Sequence, residues 1–314
     1  MASRILCVVG PTASGKTKMG VLLAKRYNGE VVSVDSMQIY RGMTVGTAAP
    51  TPEEQEGIPH HMVAVADPAE QWSVAKYAEE ATAVIDDILS RGKLPVLVGG
   101  TGLWLDAVIR GHGFAGGHAG SKIREQLQKE LETGGIEPLL EELRRVDPES
   151  AERLHPADTK RILRALEVWR ETGRTITAHN AETQAIPPRY DALYIGLRFA
   201  DRKDMWALID RRVDAMVDDG LLSEVQSLLG SGLPRNATAL QAIGYKEFLG
   251  VLEGERSITD ALAEIKLRSR QYAKRQLTWL RRNQEIFWIE WEKERDFAKA
   301  LRISTEYLSA HGLR

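Results

Sequence analysis

The sequence predicts an α/β fold, a P-loop NTPase-like parallel sheet core carrying an inserted all-helical domain. Three observations predict it. Short apolar runs alternate with longer helical patterns, as expected of a parallel sheet covered on both faces. The first run leads into a Gly-rich anion-binding loop. The alternation then stops between Gly111 and Pro188, where only helical patterns remain.

Arg4-Ile5-Leu6-Cys7-Val8-Val9 reads as the first buried strand. Gly10-Pro11-Thr12-Ala13-Ser14-Gly15-Lys16-Thr17 follows it and fits G-x-x-x-x-G-K-[ST]. In such a loop glycines let backbone N–H groups curl around a phosphate, the Lys reaches the terminal phosphates, and the hydroxyl faces Mg²⁺. The stretch Thr17 to Tyr27 reads as a helix with Met19, Leu22, Leu23 and Tyr27 inward. The motif names an anion, a di- or triphosphate, and leaves the reaction open.

Val31–Val34, Leu94–Val98, Leu193–Leu197 and Ile286–Ile289 read as further strands. Ser73 caps a helix whose apolar positions run from Val74 to Ile88 at three- and four-residue steps, and Gly92 stops it. Within the insertion, helices are expected over Ser121–Thr133, Pro138–Val146 and Thr159–Thr172. The expected organisation is a core of residues 1–112 and 191–314 with a helical domain of 113–190. The hinges are the glycine run from Gly111 to Gly117 and the Ala185-Ile186-Pro187-Pro188 link.

Composition bounds the function. The chain has 314 residues, 43% of them hydrophobic and 27% charged, which suits a folded globular protein of one or two domains. No run of eighteen apolar residues exists, so no membrane span is expected. The N-terminus enters a strand almost at once, which leaves no room for a signal peptide. The single cysteine, Cys7, has no disulfide partner, and a reducing cytoplasm is expected. A monomer is expected. The net charge of −2 excludes a globally basic nucleic-acid coat. A local basic patch remains: Lys266, Arg268, Arg270, Lys274, Arg275, Arg281 and Arg282 lie in one stretch with no acid among them, interleaved with Tyr272 and Trp279. That stretch reads as contact with a polyanion rather than as a solvated helix face.

A P-loop kinase or ATPase carries an apolar strand ending in Asp to orient its metal. Here the strand Leu94–Val98 ends in Gly99-Gly100-Thr101-Gly102, and the carboxylate sits elsewhere, in Asp35 after Val34. The carboxyl ends of parallel strands line one crevice, so the P-loop, Asp35 and Thr101 are expected to converge. Asp35 admits two chemical roles, holding Mg²⁺ or accepting a proton from a nucleophile. A plain turn-capping carboxylate is the competing structural reading.

Several segments together resemble the bacterial tRNA dimethylallyltransferases, also called tRNA isopentenyltransferases. They are Gly10–Thr17, Asp35-Ser36-Met37-Gln38-Ile39-Tyr40, Gly46-Thr47-Ala48, Gly57-Ile58-Pro59-His60-His61, Val98-Gly99-Gly100-Thr101-Gly102-Leu103-Trp104 and Ala273-Lys274-Arg275-Gln276-Leu277-Thr278-Trp279. The resemblance implies transfer of a dimethylallyl group from dimethylallyl diphosphate to N6 of the adenosine just 3′ of the tRNA anticodon. The P-loop would then hold a departing diphosphate, with Lys16, the loop N–H groups and Mg²⁺ at Thr17 stabilising its charge. Asp35 matches the family's general base and Thr101 its partner. Arg212 matches an Arg near the diphosphate, although Arg211 beside it makes that register ambiguous. The tRNA-contacting segments carry over as Asp35, Ser36, Met37 and Gln38; Thr101; Arg124; Lys160, Arg161, Ile162, Leu163 and Arg164; and Gln241, Ala242, Ile243, Gly244, Tyr245 and Lys246, with Lys274 and Arg275 from the basic stretch.

The chain departs from eukaryotic relatives in lacking the cysteines of a zinc finger, so the bacterial type is implied. His60-His61 is a poor metal pair, because adjacent residues rarely chelate one ion. Three rival readings stand beside this one: a small-molecule kinase, an adenylate isopentenyltransferase, and a non-catalytic RNA-binding protein with a vestigial P-loop.

Overall fold

The computed structural model describes residues 2–111 and 122–313. The glycine-rich hinge beyond Gly111, the 112/113 domain boundary and the expected helix start at Ser121 lie outside the described residues. The chain divides into two compact units, one running to Ile109 and resuming at Arg189, the other Arg110–Pro188.

The first unit opens with β1 (Ser3–Val9), α1 (Lys16–Arg26) and β2 (Gly29–Val34). A short helix α2 (Pro52–Gln55), β3 (His60–His61), α3 (Val74–Ser90), β4 (Leu94–Gly99) and α4 (Gly102–Arg110) follow. The second unit holds α5 (Lys122–Gly134), α6 (Glu137–Val146), α7 (Pro148–Arg153), α8 (Thr159–Thr172) and α9 (Ile176–Ala185). The first unit then resumes with β5 (Tyr190–Phe199), α10 (Arg202–Asp218), α11 (Leu221–Gly230), α12 (Tyr245–Leu252), α13 (Ile258–Leu280), β6 (Ile286–Trp291) and α14 (Phe297–Ala310).

The six strands form one all-parallel sheet in the order β3-β2-β4-β1-β5-β6. Its edge strand β3 is only two residues long, which is why no apolar run announced it. The sheet is buried on both faces. Ile5, Cys7 and Val9 of β1 enter one apolar core and Leu6 and Val8 the other, as the two-residue period of a strand requires. Each such fully buried side chain contributes about 1.5–3 kcal/mol. Met19, Leu23 and Ala24 of α1 cover one face, and Tyr77, Ala81, Ile85 and Ile88 of α3 cover the other. Ser73 caps α3 by accepting from Lys76 N, and Arg91 and Gly92 close it.

The second unit has its own core, centred on Leu127, Leu139, Leu140, Leu143, Ile162, Leu163 and Leu166. Helices α7 and α9 were not legible as separate elements. Asp147 caps α7 and also receives Thr177 N and Oγ1 at 3.2 and 2.7 Å, fastening the start of α9 to it.

Candidate active site

The P-loop joins β1 to α1. Helix α1 begins at Lys16, immediately after Gly15, whose backbone is left-handed at φ 90°. This turn puts the positive end of the helix at the loop, where an anion is favoured. Lys16 curls back and its Nζ donates to Pro11 O at 2.7 Å.

Residues far along the chain fix the loop. Gln276 Oε1 accepts from Thr12 N at 2.8 Å. Trp291 Nε1 donates to Ser14 O at 2.8 Å, and Arg295 Nη1 to Ala13 O at 3.5 Å. Arg212 Nη1 reaches Thr12 Oγ1 at 3.4 Å. Sequence reasoning assigned no role to Gln276, Trp291 or Arg295. Gln276 did leave a signal: it is an amide on the apolar stripe of α13, buried alongside Ala261, Ile265, Ala273 and Leu280. A buried amide on such a stripe needs a partner, and the P-loop backbone supplies it.

Asp35 follows β2 and closes a turn, its Oδ1 accepting from Met37 N at 2.9 Å and Gln38 N at 3.3 Å. The Gln38 amide is fully engaged. Its Oε1 accepts from Ser33 Oγ at 2.9 Å, and its Nε2 donates to Thr47 O and Ala48 O at 3.2 and 3.1 Å. Gln38 therefore braces the loop that walls the site.

The Gly99-Gly100-Thr101-Gly102 turn is built for close approach. A methyl group at Gly100 would stand 2.2 Å from Gln276 Nε2, and one at Gly102 would stand 2.0 Å from Trp279 Cδ1. Trp279 is itself held there, its Nε1 donating to Asp106 Oδ2 at 2.9 Å. The glycines let α13 settle onto the end of β4, which brings Gln276 to the P-loop.

Two cavities meet at Asp35. A polar one of about 640 Å³ is walled by Lys16, Thr17, Lys18, Arg211, Arg212, Arg295 and other residues. A smaller one of about 270 Å³ has a mainly apolar wall including Met37, Ile209, Val213, Met216, Leu221 and Ile265. Asp35, Thr12, Thr47, Arg212 and Tyr272 line both. Burial and the nearby Arg212 cation push Lys16 down to about 7, with Asp35 opposing the shift. Burial likewise pulls Arg212 down, against the attraction of Asp35 and Glu54. Burial and the Asp35 charge push the Tyr272 phenol up to about 12. Lys16, Lys18, Arg211, Arg212 and Arg295 outnumber the Asp35 and Glu54 carboxylates on this wall, which makes a site that favours an added anion.

The other expected residues distribute as follows. Thr101 lines neither cavity; its Oγ1 is buried beside Tyr272, which lines both. Of Arg211 and Arg212, it is Arg212 that touches the P-loop. In the second unit, Ile162 and Leu163 are core residues rather than surface. Arg124 and Arg164 converge on the buried Glu167 carboxylate at 3.1 and 3.0 Å, whereas Lys160 and Arg161 are exposed. Tyr245 is wholly buried with its hydroxyl on Glu224, and Ala242 is buried too, so Tyr245 offers no open ring for stacking. Gln241 and Lys246 beside them are exposed.

The basic stretch is partly neutralised from outside itself. Lys266 pairs with Asp214 and Arg270 with Asp210, both on α10, and Arg268 pairs with Glu264. Arg275 lies over the Tyr272 ring and Arg282 over Trp279. His61 pairs with Glu30 at 2.8 Å, while His60 lines the polar cavity.

A family model described as IPP transferase matches residues 38–283, and one described as isopentenyl transferase matches residues 3–65. A tRNA dimethylallyltransferase of Caldanaerobacter subterraneus subsp. tengcongensis is 44% identical over 310 residues, covering 98% of each chain. The chain belongs to the tRNA dimethylallyltransferase family. Another such relative, from Acetivibrio thermocellus, is 41% identical over 309 residues with 98% of each chain covered. Among solved structures, the tRNA isopentenylpyrophosphate transferase of Bacillus halodurans superposes with a TM-score of 0.73 at 39% identity, covering 98% of this chain and 96% of that one. A eukaryotic dimethylallyltransferase acting on tRNA superposes with a TM-score of 0.82 at 28% identity, covering 98% and 80%. Membership of the tRNA dimethylallyltransferase family sets aside the kinase, AMP-prenylating and vestigial readings. Among the described residues, no helix is long and apolar enough to cross a membrane.

Proposed function

We infer that this chain transfers a dimethylallyl group from dimethylallyl diphosphate to N6 of the adenosine 3′-adjacent to the anticodon of a tRNA. The observation that carries the residue-level reading is the junction at Asp35 of a cationic, P-loop-walled cavity with an apolar one. A prenyl diphosphate has the same two halves, a polyanion and a short hydrocarbon.

In this reading the diphosphate lies against Lys16, Arg212 and the P-loop N–H groups. Negative charge grows on it as the allylic C–O bond breaks, and fixed cations stabilise that charge most when it is most developed. The dimethylallyl carbons lie toward Met216, Leu221 and Ile265. The N6 amine forms the new C–N bond as Asp35 accepts its proton. The amine lone pair is delocalised into the purine, so removing a proton during attack is what makes it a nucleophile. Thr101 acts through Tyr272 rather than from the cavity wall.

Thr17 and Asp35 place a hydroxyl and a carboxylate oxygen on the polar cavity. Among the described residues, no cluster of three or more His, Cys, Asp or Glu could cage a metal. Mg²⁺ is ordinarily held by one or two protein oxygens plus substrate phosphates, so this sparse oxygen set fits it. Thr17, with Asp35 near, would hold the ion, which would supply further charge neutralisation on the diphosphate.

The target base must leave its stack to reach a strand end. Exposed Lys160, Arg161, Lys246, Lys274 and Arg275 are the cations proposed to receive the RNA backbone and loop bases. The test is incubation with unmodified tRNA, AMP and labelled dimethylallyl diphosphate. Label is expected in tRNA. Label confined to AMP, or no transfer, would overturn the reading.

A further inference from the structure

One carboxylate outside the cavities has an arrangement that the reaction as described does not use. Glu224 on α11 gathers five donors. Its Oε2 accepts from Thr44 N at 2.8 Å, Thr44 Oγ1 at 3.0 Å and Val45 N at 2.9 Å. Its Oε1 accepts from Gly46 N at 3.0 Å and Tyr245 Oη at 2.5 Å. Three consecutive backbone N–H groups thus converge on one side chain across about 180 residues of sequence. Loop N–H groups normally find water, so this is a built anchor and not incidental contact.

The anchored loop does not stop at Gly46. Its next residues, Thr47 and Ala48, present the carbonyls that hold Gln38 Nε2. Gln38 in turn donates its backbone N–H to Asp35 Oδ1 and receives Ser33 Oγ from β2. The hydrogen bonds and short covalent links therefore run unbroken from Glu224, through Gly46–Ala48 and Gln38, to the Asp35 carboxylate. The same loop walls both cavities, through Thr47, at the junction where Asp35 lies. Close packing confines it as well: a methyl group at Gly46 would stand 2.4 Å from the Tyr245 ring.

We propose that Glu224 is a positioning residue for the transfer step, holding the Thr44–Ala48 loop and, through Gln38, the orientation of the Asp35 carboxylate. The proposal rests on the reading of Asp35 as proton acceptor. It assigns Glu224 no contact with substrate. Its effect is geometric: the Asp35 oxygen must meet the N6 proton along a narrow approach, and a remote misplacement of about 1 Å can cost roughly 10²-fold in rate. Without Glu224 the turn N–H of Met37 still binds Asp35, and Ser33 still holds Gln38. The loss is therefore expected to be partial.

The experiment is a double-mutant cycle between Glu224→Gln and Asp35→Asn. The glutamine keeps the shape of Glu224 but can accept on one side only, so either the Thr44–Val45 pair or the Gly46–Tyr245 pair loses its acceptor. Single-turnover rates with tRNA and dimethylallyl diphosphate are measured for all four proteins, with inorganic pyrophosphate affinity by calorimetry. E224Q alone is expected to lower the single-turnover rate about 10- to 100-fold. Pyrophosphate affinity should stay within about twofold, because the P-loop is held by Gln276 and Trp291 instead. In the D35N background, E224Q should cost little further. A normal rate in E224Q overturns the proposal. So does an equal loss in both backgrounds, which would mark a general structural role, or a fall in pyrophosphate affinity matching the fall in rate. Near-normal turnover by D35N itself would instead overturn the general-base reading. If E224Q does not fold, Gln38→Leu, which cuts the same relay one step closer, must show the same non-additivity with D35N.

Discussion

Binding of a diphosphate should draw a proton onto Lys16. Burial and Arg212 push this lysine down from its ordinary 10.5 to about 7. At pH 8 about one chain in ten carries the ammonium. A polyanion placed against it favours the charged form and returns its affinity for protons toward or above the ordinary value. The expected uptake at Lys16 is therefore about 0.9 proton per site at pH 8, about half a proton at pH 7 and about 0.1 at pH 6. The assay is calorimetry with inorganic pyrophosphate in pairs of buffers with unlike ionisation enthalpies. Pyrophosphate also titrates in this range, so the quantity to compare is wild type minus Lys16→Arg. Arginine stays charged at every pH used, and the ligand's own protons cancel in the difference. A difference near zero at pH 8, or one that grows as pH falls, would refute the reasoning. The same shift bears on stability. Between pH 7 and 10.5 the unfolded chain binds more protons at this position than the folded one, so Lys16 makes stability rise with pH across that window.

Four further outcomes are expected. Asp35→Ala should fold and bind tRNA but lose roughly 10²–10⁴-fold in single-turnover rate; a near-normal rate would sink its role as base. Gln276→Leu removes the acceptor of Thr12 N and should destabilise the fold by about 1–3 kcal/mol while weakening pyrophosphate binding; unchanged calorimetric affinity would argue against the latch. Gly102→Ala forces a methyl group into the ring of Trp279, and a loss of about 1–3 kcal/mol is expected in denaturant melts. Arg275→Ala should reduce the salt dependence of tRNA binding by about one counterion, while Arg270→Ala, whose cation is paired with Asp210, should change it less. Equal slopes for the two variants would show that the ion pair does not decide which cation the RNA meets.

Much of the fold was legible because the signals were local. β1, the P-loop and the start of α1 are written in one continuous stretch, and the apolar runs at Leu94 and Ile286 mark where β4 and β6 begin. The Thr159–Thr172 helix coincides with its apolar periodicity. Other elements left no such mark. β3 has two residues, too few to show a period, and its pairing with β2 is completed by the His61–Glu30 side-chain contact 31 positions apart. The rule that strand ends share a crevice brought Asp35 to the P-loop, whereas it did not show that Thr101 would lie behind Tyr272 and line neither cavity. Absence of acids within Lys266–Arg282 suggested seven open cations. The partners of Lys266 and Arg270 sit on another helix, at a distance no local window spans.

The sequence by itself determined the P-loop motif, the alternation of strands and helices, and the kinship that names the reaction, since each is carried by neighbouring residues or by their order. Only the tertiary structure decided which side chains hold the P-loop, that Tyr245 anchors a loop instead of presenting a ring, and that a polar and an apolar cavity meet at Asp35. Those facts depend on contacts such as Gly46 with Glu224 and Ser14 with Trp291, 178 and 277 positions apart yet within hydrogen-bonding distance. That distance is set by how helices settle on a sheet, and no single stretch of chain encodes it.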